Sequence, residues 1–292
     1  MIKVIKKNFI PIIYLLGFLG TYPFCLKRTD GFSIAKIQSN LFFNPSWEIK
    51  ESKFPIGVFD QPFYYLGSGA QVFAFVSKDG QYVIKFFRHH RMRHPLHPFS
   101  FLFPQFLQRR LQKTIHKRKA KQEKDFSSYK LAYEMLPEET GVLYLHLNKT
   151  NHLNTPIVLY DKIGIRHTLE LDQIEFILQR KADLLYFKIE TLINQGNLNQ
   201  AEKILSNLIQ LLWTRSQKGI IDKNPDLKTN FGVIGERSIQ IDIGRFKKDP
   251  HPKDPETTKQ EMLRITDPLC HWLDEKAASL SKHIRKEIKE LR

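Results

Sequence analysis

Cysteine is almost missing from this chain: 2 residues, Cys25 and Cys270, among 292. No CxxC pair and no His/Cys zinc spacing occurs, so neither a disulfide framework nor a structural metal is supported. Acidic residues are absent from one long stretch. Between Arg88 and Lys121 stand ten Lys/Arg and five His but no Asp or Glu, within a formal net charge of +16. Such local charge suggests an acidic partner, which in chemical terms is nucleic acid, anionic lipid or a phosphorylated ligand. Four of these histidines (His89, His90, His94, His97) cluster among Arg88, Arg91 and Arg93, which would repel a metal ion. Repetition is lacking too. Residues 195–208, QGNLNQAEKILSNL, resemble one helical-hairpin unit, but no second copy follows at a matching period, which argues against a solenoid.

What is present points to a folded chain. Hydrophobic residues make up 41% of the sequence, with 22 Phe, enough for one large domain or two lobes with real cores. Residues 1–28 form an apolar leader, in which Lys3, Lys6 and Lys7 precede an uncharged run closed by Lys27 and Arg28. That run is at the short limit for spanning a bilayer. A cleaved signal is the rival, although the exit TYPFC offers no small-x-small site. The expectation is a membrane-associated protein with a single N-terminal anchor, its orientation left open by symmetrical flanking charges. Residues 29–60, rich in turn residues, read as a linker.

From residue 61 the pattern alternates. Strands are expected near Phe63–Leu66, Val72–Ser77 and Tyr82–Phe87, the last two joined by a tight Asp79-Gly80 hairpin. The basic insertion 88–124 follows. Its second half carries Phe103, Phe106, Leu107, Leu111 and Ile115 on one helical face and cations on the rest. Residues 125–149 suggest one broken helix or two short ones, with Pro137, Glu138 and Glu139 forming a helical first turn. Strands resume near Ile157–Lys162, Arg166–Leu171 and Glu175–Gln179. Beyond residue 183 the pattern turns helical. The clearest helix runs from about Asn199 to Lys218, with Asn199 and Glu202 as a cap and Gly219 as its end. The C-terminal helical region is expected to break at Asp267-Pro268.

Two segments carry the chemistry. LGSG at 66–69 offers a loop in which Gly67 and Gly69 let backbone approach a phosphate, and the next strand returns Lys85 within VIKF. Far downstream, Asn230 and an Asp242-Ile243-Gly244 triplet lie twelve residues apart. This ordered set resembles the protein-kinase-like superfamily over roughly residues 60–246. The resemblance implies an α+β, two-lobed fold with an antiparallel N-lobe sheet (61–182) and a short helical C-lobe (183–292). It also implies ATP or another nucleotide bound with Mg, Lys85 on the phosphates, and Asn230 and Asp242 as metal ligands. Glu139, with Glu134 in reserve, would orient Lys85. The family's proton-accepting aspartate falls on Asn224, which cannot accept a proton as a carboxylate does. Asp222 or Asp226 would have to replace it, and phosphotransfer is expected to be weak or absent, as in a pseudokinase. The alternative is a non-enzymatic adaptor docking on anionic membrane or an acidic partner through residues 88–121. Nucleic acid is the less favoured partner, because Phe99, Phe101, Phe103 and Phe106 are spaced for packing or lipid contact.

Overall fold

The computed structural model describes residues 21, 23–49, 53–92, 103–249 and 254–291. Of the leader 1–28 only residues 21 and 23–28 are among these, and among the described residues no helix is long and apolar enough to cross a membrane.

The first lobe is built on a seven-stranded sheet. Its strands are β1 (Phe63–Ser68), β2 (Val72–Ser77), β3 (Tyr82–Phe87), β4 (Val142–His146), β5 (Pro156–Tyr160), β6 (Arg166–Glu170) and β7 (Phe176–Arg180), in the order β4-β7-β3-β2-β1-β5-β6. Alternation fixes the face: Phe63, Phe73, Phe75, Ile84 and Phe86 are buried together, with Phe176 and Leu178 from β7. The β2–β3 turn is held by Asp79, whose carboxylate accepts from Ser77 Oγ (2.6 Å) and from the Gln81 amide (3.0 Å). The sheet is not wholly antiparallel. β5 runs parallel to β1, because the chain leaves β4 at one margin and returns along the opposite one. Residues 29–60 are more than a linker. Short α1 (Ile34–Ile37) buries Ile37, and Phe32, Trp47 and Phe59 enter the cores of this lobe.

Helix α2 (Gln105–Met135) is continuous over 31 residues, running from the basic insertion 88–124 into the segment 125–149 that was read separately. No Pro or Gly interrupts it, and it stops at Leu136, the residue before Pro137. Only its second half is packed. Phe126, Tyr129 and Ala132 bury against Phe87, Leu145 and Ile177, whereas Phe106 and Leu107 remain exposed. α3 (Pro137–Thr140) is a single turn ending at Gly141.

The second lobe begins at β8 (Asp183–Leu184) and α4 (Leu185–Asn194). α5 (Leu198–Gln217) buries Ala201, Ile204, Leu205, Leu208 and Leu212. Its cap is Asn197 rather than Asn199, the Asn197 side chain accepting from the Gln200 amide at 3.3 Å. After β9 (Ile220–Asp222), the hairpin β10 (Phe231–Ile234) and β11 (Arg237–Gln240) pairs with β8, and β12 (Phe246–Lys248) pairs back on β9. α6 (Pro255–Lys276) and α7 (Ala278–Glu290) close the lobe. α6 runs through Pro268 without the expected break. Burial of Ile265, Leu269, Cys270 and Leu273 holds it, and Thr266 Oγ donates back to the Met262 carbonyl (2.9 Å).

Candidate functional site

The hairpin β10–β11 determines where the chemistry converges. Its register sets Phe231 opposite Gln240, which places Asn230 at its entry beside Ile241 and Asp242 at its exit. The Asn230 carbonyl accepts from the amides of Ile241 (2.8 Å) and Asp242 (3.3 Å), stitching the two segments together. Asn230 is buried, and its side-chain amide donates to the Asn224 carbonyl at 2.8 Å. Asp242 is exposed, with one carboxylate oxygen accepting from the Gly244 amide at 3.2 Å. Both residues line a cavity of about 950 Å³ between the lobes.

Lys85 enters the same cavity from β3. Its ammonium donates to the Ile241 carbonyl at 2.6 Å, next to Asp242. Burial strips hydration from the charged form and pulls its pKa from 10.5 to about 8, a fall that the Asp242 carboxylate partly opposes. Gly69 also lines the cavity, whereas Gly67 sits at the irregularity where β1 slips register on β2. A Cβ at either glycine would meet nothing within 4 Å, so internal packing does not account for them. The loop they flank is braced from outside. Arg88 donates to the Gly69 carbonyl and Arg91 to the Ala70 carbonyl, each at 2.7 Å.

Glu139 lies elsewhere. It pairs with Lys218 at 2.9 Å and does not line the cavity, because α3 packs among β11, β4 and the end of α2 and not over β3. Glu134 is on the open face of α2 beside Lys130. The acid that α2 brings to the cleft is Asp125, buried in its packed half. It accepts from Gln71 Nε2 (2.8 Å) and from Lys121 (2.7 Å). The same Gln71 amide donates to the Gly244 carbonyl at 2.9 Å, and its oxygen accepts from the Tyr129 hydroxyl at 3.4 Å. Tyr129 is buried, and its phenol titrates well above its usual value through burial and then through Asp242 and Asp125. One residue before Tyr129 on α2, Ser128 donates to the Ile243 carbonyl (2.5 Å) and accepts from the Phe246 amide (2.6 Å). Glycine loop, helix and Asp-Ile-Gly segment are thus tied to one another. Neither Asp125 nor Gln71 was identified from the sequence. An acid followed at one and four positions by Phe126 and Tyr129 would have been the signal.

Neither candidate proton acceptor reaches the cavity. Asp222 is buried between Gln240 Nε2 (2.5 Å) and Arg215 (3.7 Å) and caps the Asn224 amide (2.8 Å). Asp226 is exposed, its oxygens accepting from the Lys228 amide (2.9 Å) and Thr229 Oγ (2.6 Å) within its own turn. Both hold the loop's shape. His89, one of the clustered histidines, is buried against Glu175 at 2.9 Å. Among the described residues no group of three metal-binding side chains exists. Asn230 and Asp242 are cavity residues whose side-chain oxygens could hold a hard cation.

No protein-family model matches the sequence, and no curated protein does. Among solved structures, the chain is similar to WbdD, a bifunctional kinase-methyltransferase, at 16% identity. The match covers 82% of this chain and 49% of that one, with a TM-score of 0.37. Monomeric WbdD gives 16% identity over 82% and 51% at 0.38, and its complex with the kinase inhibitor LY294002 gives 16% over 82% and 48% at 0.35. The chain spans about half the length of these structures. Its own architecture is an α+β chain in two lobes, with a strand lysine, an inward helix and an Asp-Ile-Gly segment around one cleft.

Proposed function

We propose that the cleft binds a nucleoside triphosphate together with Mg. One observation carries the reading: Lys85, Asn230 and Asp242, which lie far apart in sequence, line a single cavity large enough for such a ligand. The ammonium meets phosphate, the two oxygens hold the metal, and Gly69 leaves room for close backbone approach. Toward alcohol acceptors, transfer is weak or absent, because Asn224 stands where a carboxylate would take the proton. Titration calorimetry with Mg-ATP on wild type and Asp242→Ala tests the binding. Wild type should bind below millimolar, and the variant should lose at least about tenfold, roughly 1.4 kcal/mol. Absence of wild-type binding up to millimolar nucleotide refutes the reading.

A further inference from the structure

The cleft carries more positive charge than a metal-bound triphosphate needs. Lys117, Lys121 and Lys124 form a stripe on α2 along one wall, at spacings of four and three residues that keep them on one helical face. Lys121 is tied to Asp125, whereas Lys117 and Lys124 line the cavity with no ion pair among the described residues. Arg245 adds a further cation beside Asp242, and Arg180 and Lys181 another pair where the lobes join. Against these cations the cavity holds only two carboxylates among the described residues, and both are engaged. Asp125 is bonded to Gln71 and Lys121, and Asp242 stands beside Lys85 as the metal ligand of the nucleotide reading.

These two facts have a common chemical consequence. A hydroxyl acceptor must lose its proton during transfer, and neither Asp222 nor Asp226 lines the cavity to receive it. A phosphate monoester needs no such base, because its second pKa is about 6 and it already presents an anionic oxygen at neutral pH. It does need its charge offset beside a second polyanion, which is what a row of lysines supplies. A cavity of about 950 Å³ is at the upper end for small-molecule sites and has space for two ligands.

We propose, building on the nucleotide reading, that this cleft transfers the terminal phosphoryl group of a nucleoside triphosphate to the phosphate monoester of a small molecule. The monoester oxygen attacks the γ-phosphorus, and the bond from that phosphorus to the β,γ-bridging oxygen breaks. The nucleoside diphosphate leaves with the electron pair. The product is a diphosphate monoester, and no proton is gained or lost. Lys117, Lys124 and Arg245 bind the acceptor, while Lys85 and the metal hold the donor.

The test uses the full chain saturated with Mg and the non-hydrolysable analogue β,γ-imido-ATP. Glycerol 3-phosphate, glucose 6-phosphate and AMP are titrated into it beside glycerol, glucose and adenosine. At least one monoester should bind ten times or more tightly than its parent alcohol. Lys117→Glu with Lys124→Glu, both on the exposed helix face, should weaken that binding at least tenfold while changing analogue affinity less than threefold. With ATP replacing the analogue, phosphorus NMR should show the paired signals of a diphosphate ester. If the analogue binds but every monoester binds no better than its alcohol, or phosphate appears on the alcohols, the acceptor class is wrong and the nucleotide reading survives. If the double variant weakens analogue and monoester equally, the lysines serve the donor and the proposal falls. If the analogue does not bind at all, both readings fall together.

Discussion

Replacing Lys85 by methionine should make the ligand-free protein more stable while abolishing nucleotide binding. In the folded chain the ammonium is half-buried at the cavity wall and bonded to the Ile241 carbonyl, its pKa lowered from 10.5 to about 8. That displacement corresponds to roughly 3 kcal/mol of penalty on the charged form. The sign follows from proton linkage. Below pH 8 the lysine is charged in both states, and the folded state bears the full penalty. Between pH 8 and 10.5 the folded state releases its proton first, the unfolded state binds more, and stability rises with pH. Methionine has a stem of similar length and no charge, but it forfeits the hydrogen bond to Ile241, so a net gain of about 1–3 kcal/mol is expected at pH 7. For a chain of this size that is a rise in Tm of roughly 2 °C per kcal/mol. Melting curves of wild type and Lys85→Met at pH 7 and pH 9.5 provide the measurement. The gap between them should shrink to less than half at the higher pH. A variant less stable than wild type at pH 7, or a gap independent of pH, would show that burial of the charge is not what lowers this pKa.

Two further outcomes follow from the side-chain network. A Cβ added at Gly244 would collide with the side-chain amide of Gln71, so Gly244→Ala must break the Gln71 bonds to Asp125 and Gly244. Gly244→Ala and Gln71→Ala should each cost about 1–2 kcal/mol in denaturant unfolding, and the double variant should cost no more than the larger single change, simple additivity being the contrary result. Asp222→Asn removes the charge facing buried Arg215 and should lower stability by about 3 kcal/mol with nucleotide affinity changed less than threefold. Affinity falling more steeply than stability would return Asp222 to the site.

Most strands of the first lobe were legible because their alternation is strong; β4 was not, since residues 125–149 read as helical and Val142–His146 instead form an edge strand. Phe63, Phe73, Phe75 and Phe86 face one core, and the Asp79-Gly80 turn is chemically distinctive. Lys85, Asn230 and Asp242 were legible as motifs, and a hairpin of fixed register brings the last two together. The inward acid was missed for a physical reason. The basic character of residues 109–121 suggested a separate surface helix, so Asp125 was read as lying beyond its end. Helix continuity is decided by the lack of breakers and by tertiary packing at Phe126 and Tyr129, not by the change in charge. Gln71 was invisible because its value lies in three contacts to residues distant in sequence. Pro268 was overread: a proline loses one backbone bond, and the buried face of α6 outweighs it.

The order of strands decides how the sheet meets its surroundings. One margin, β4, lies beneath the packed half of α2, through Val142 and Leu145. The other is β6, whose Arg166 and Glu170 are exposed and discourage a foreign strand from adding there. β1, which launches the glycine loop, is therefore an interior strand gripped by β2 and β5. Movement of that loop over a ligand must come from residues beyond Tyr64, since only Phe63 and Tyr64 are paired on both sides.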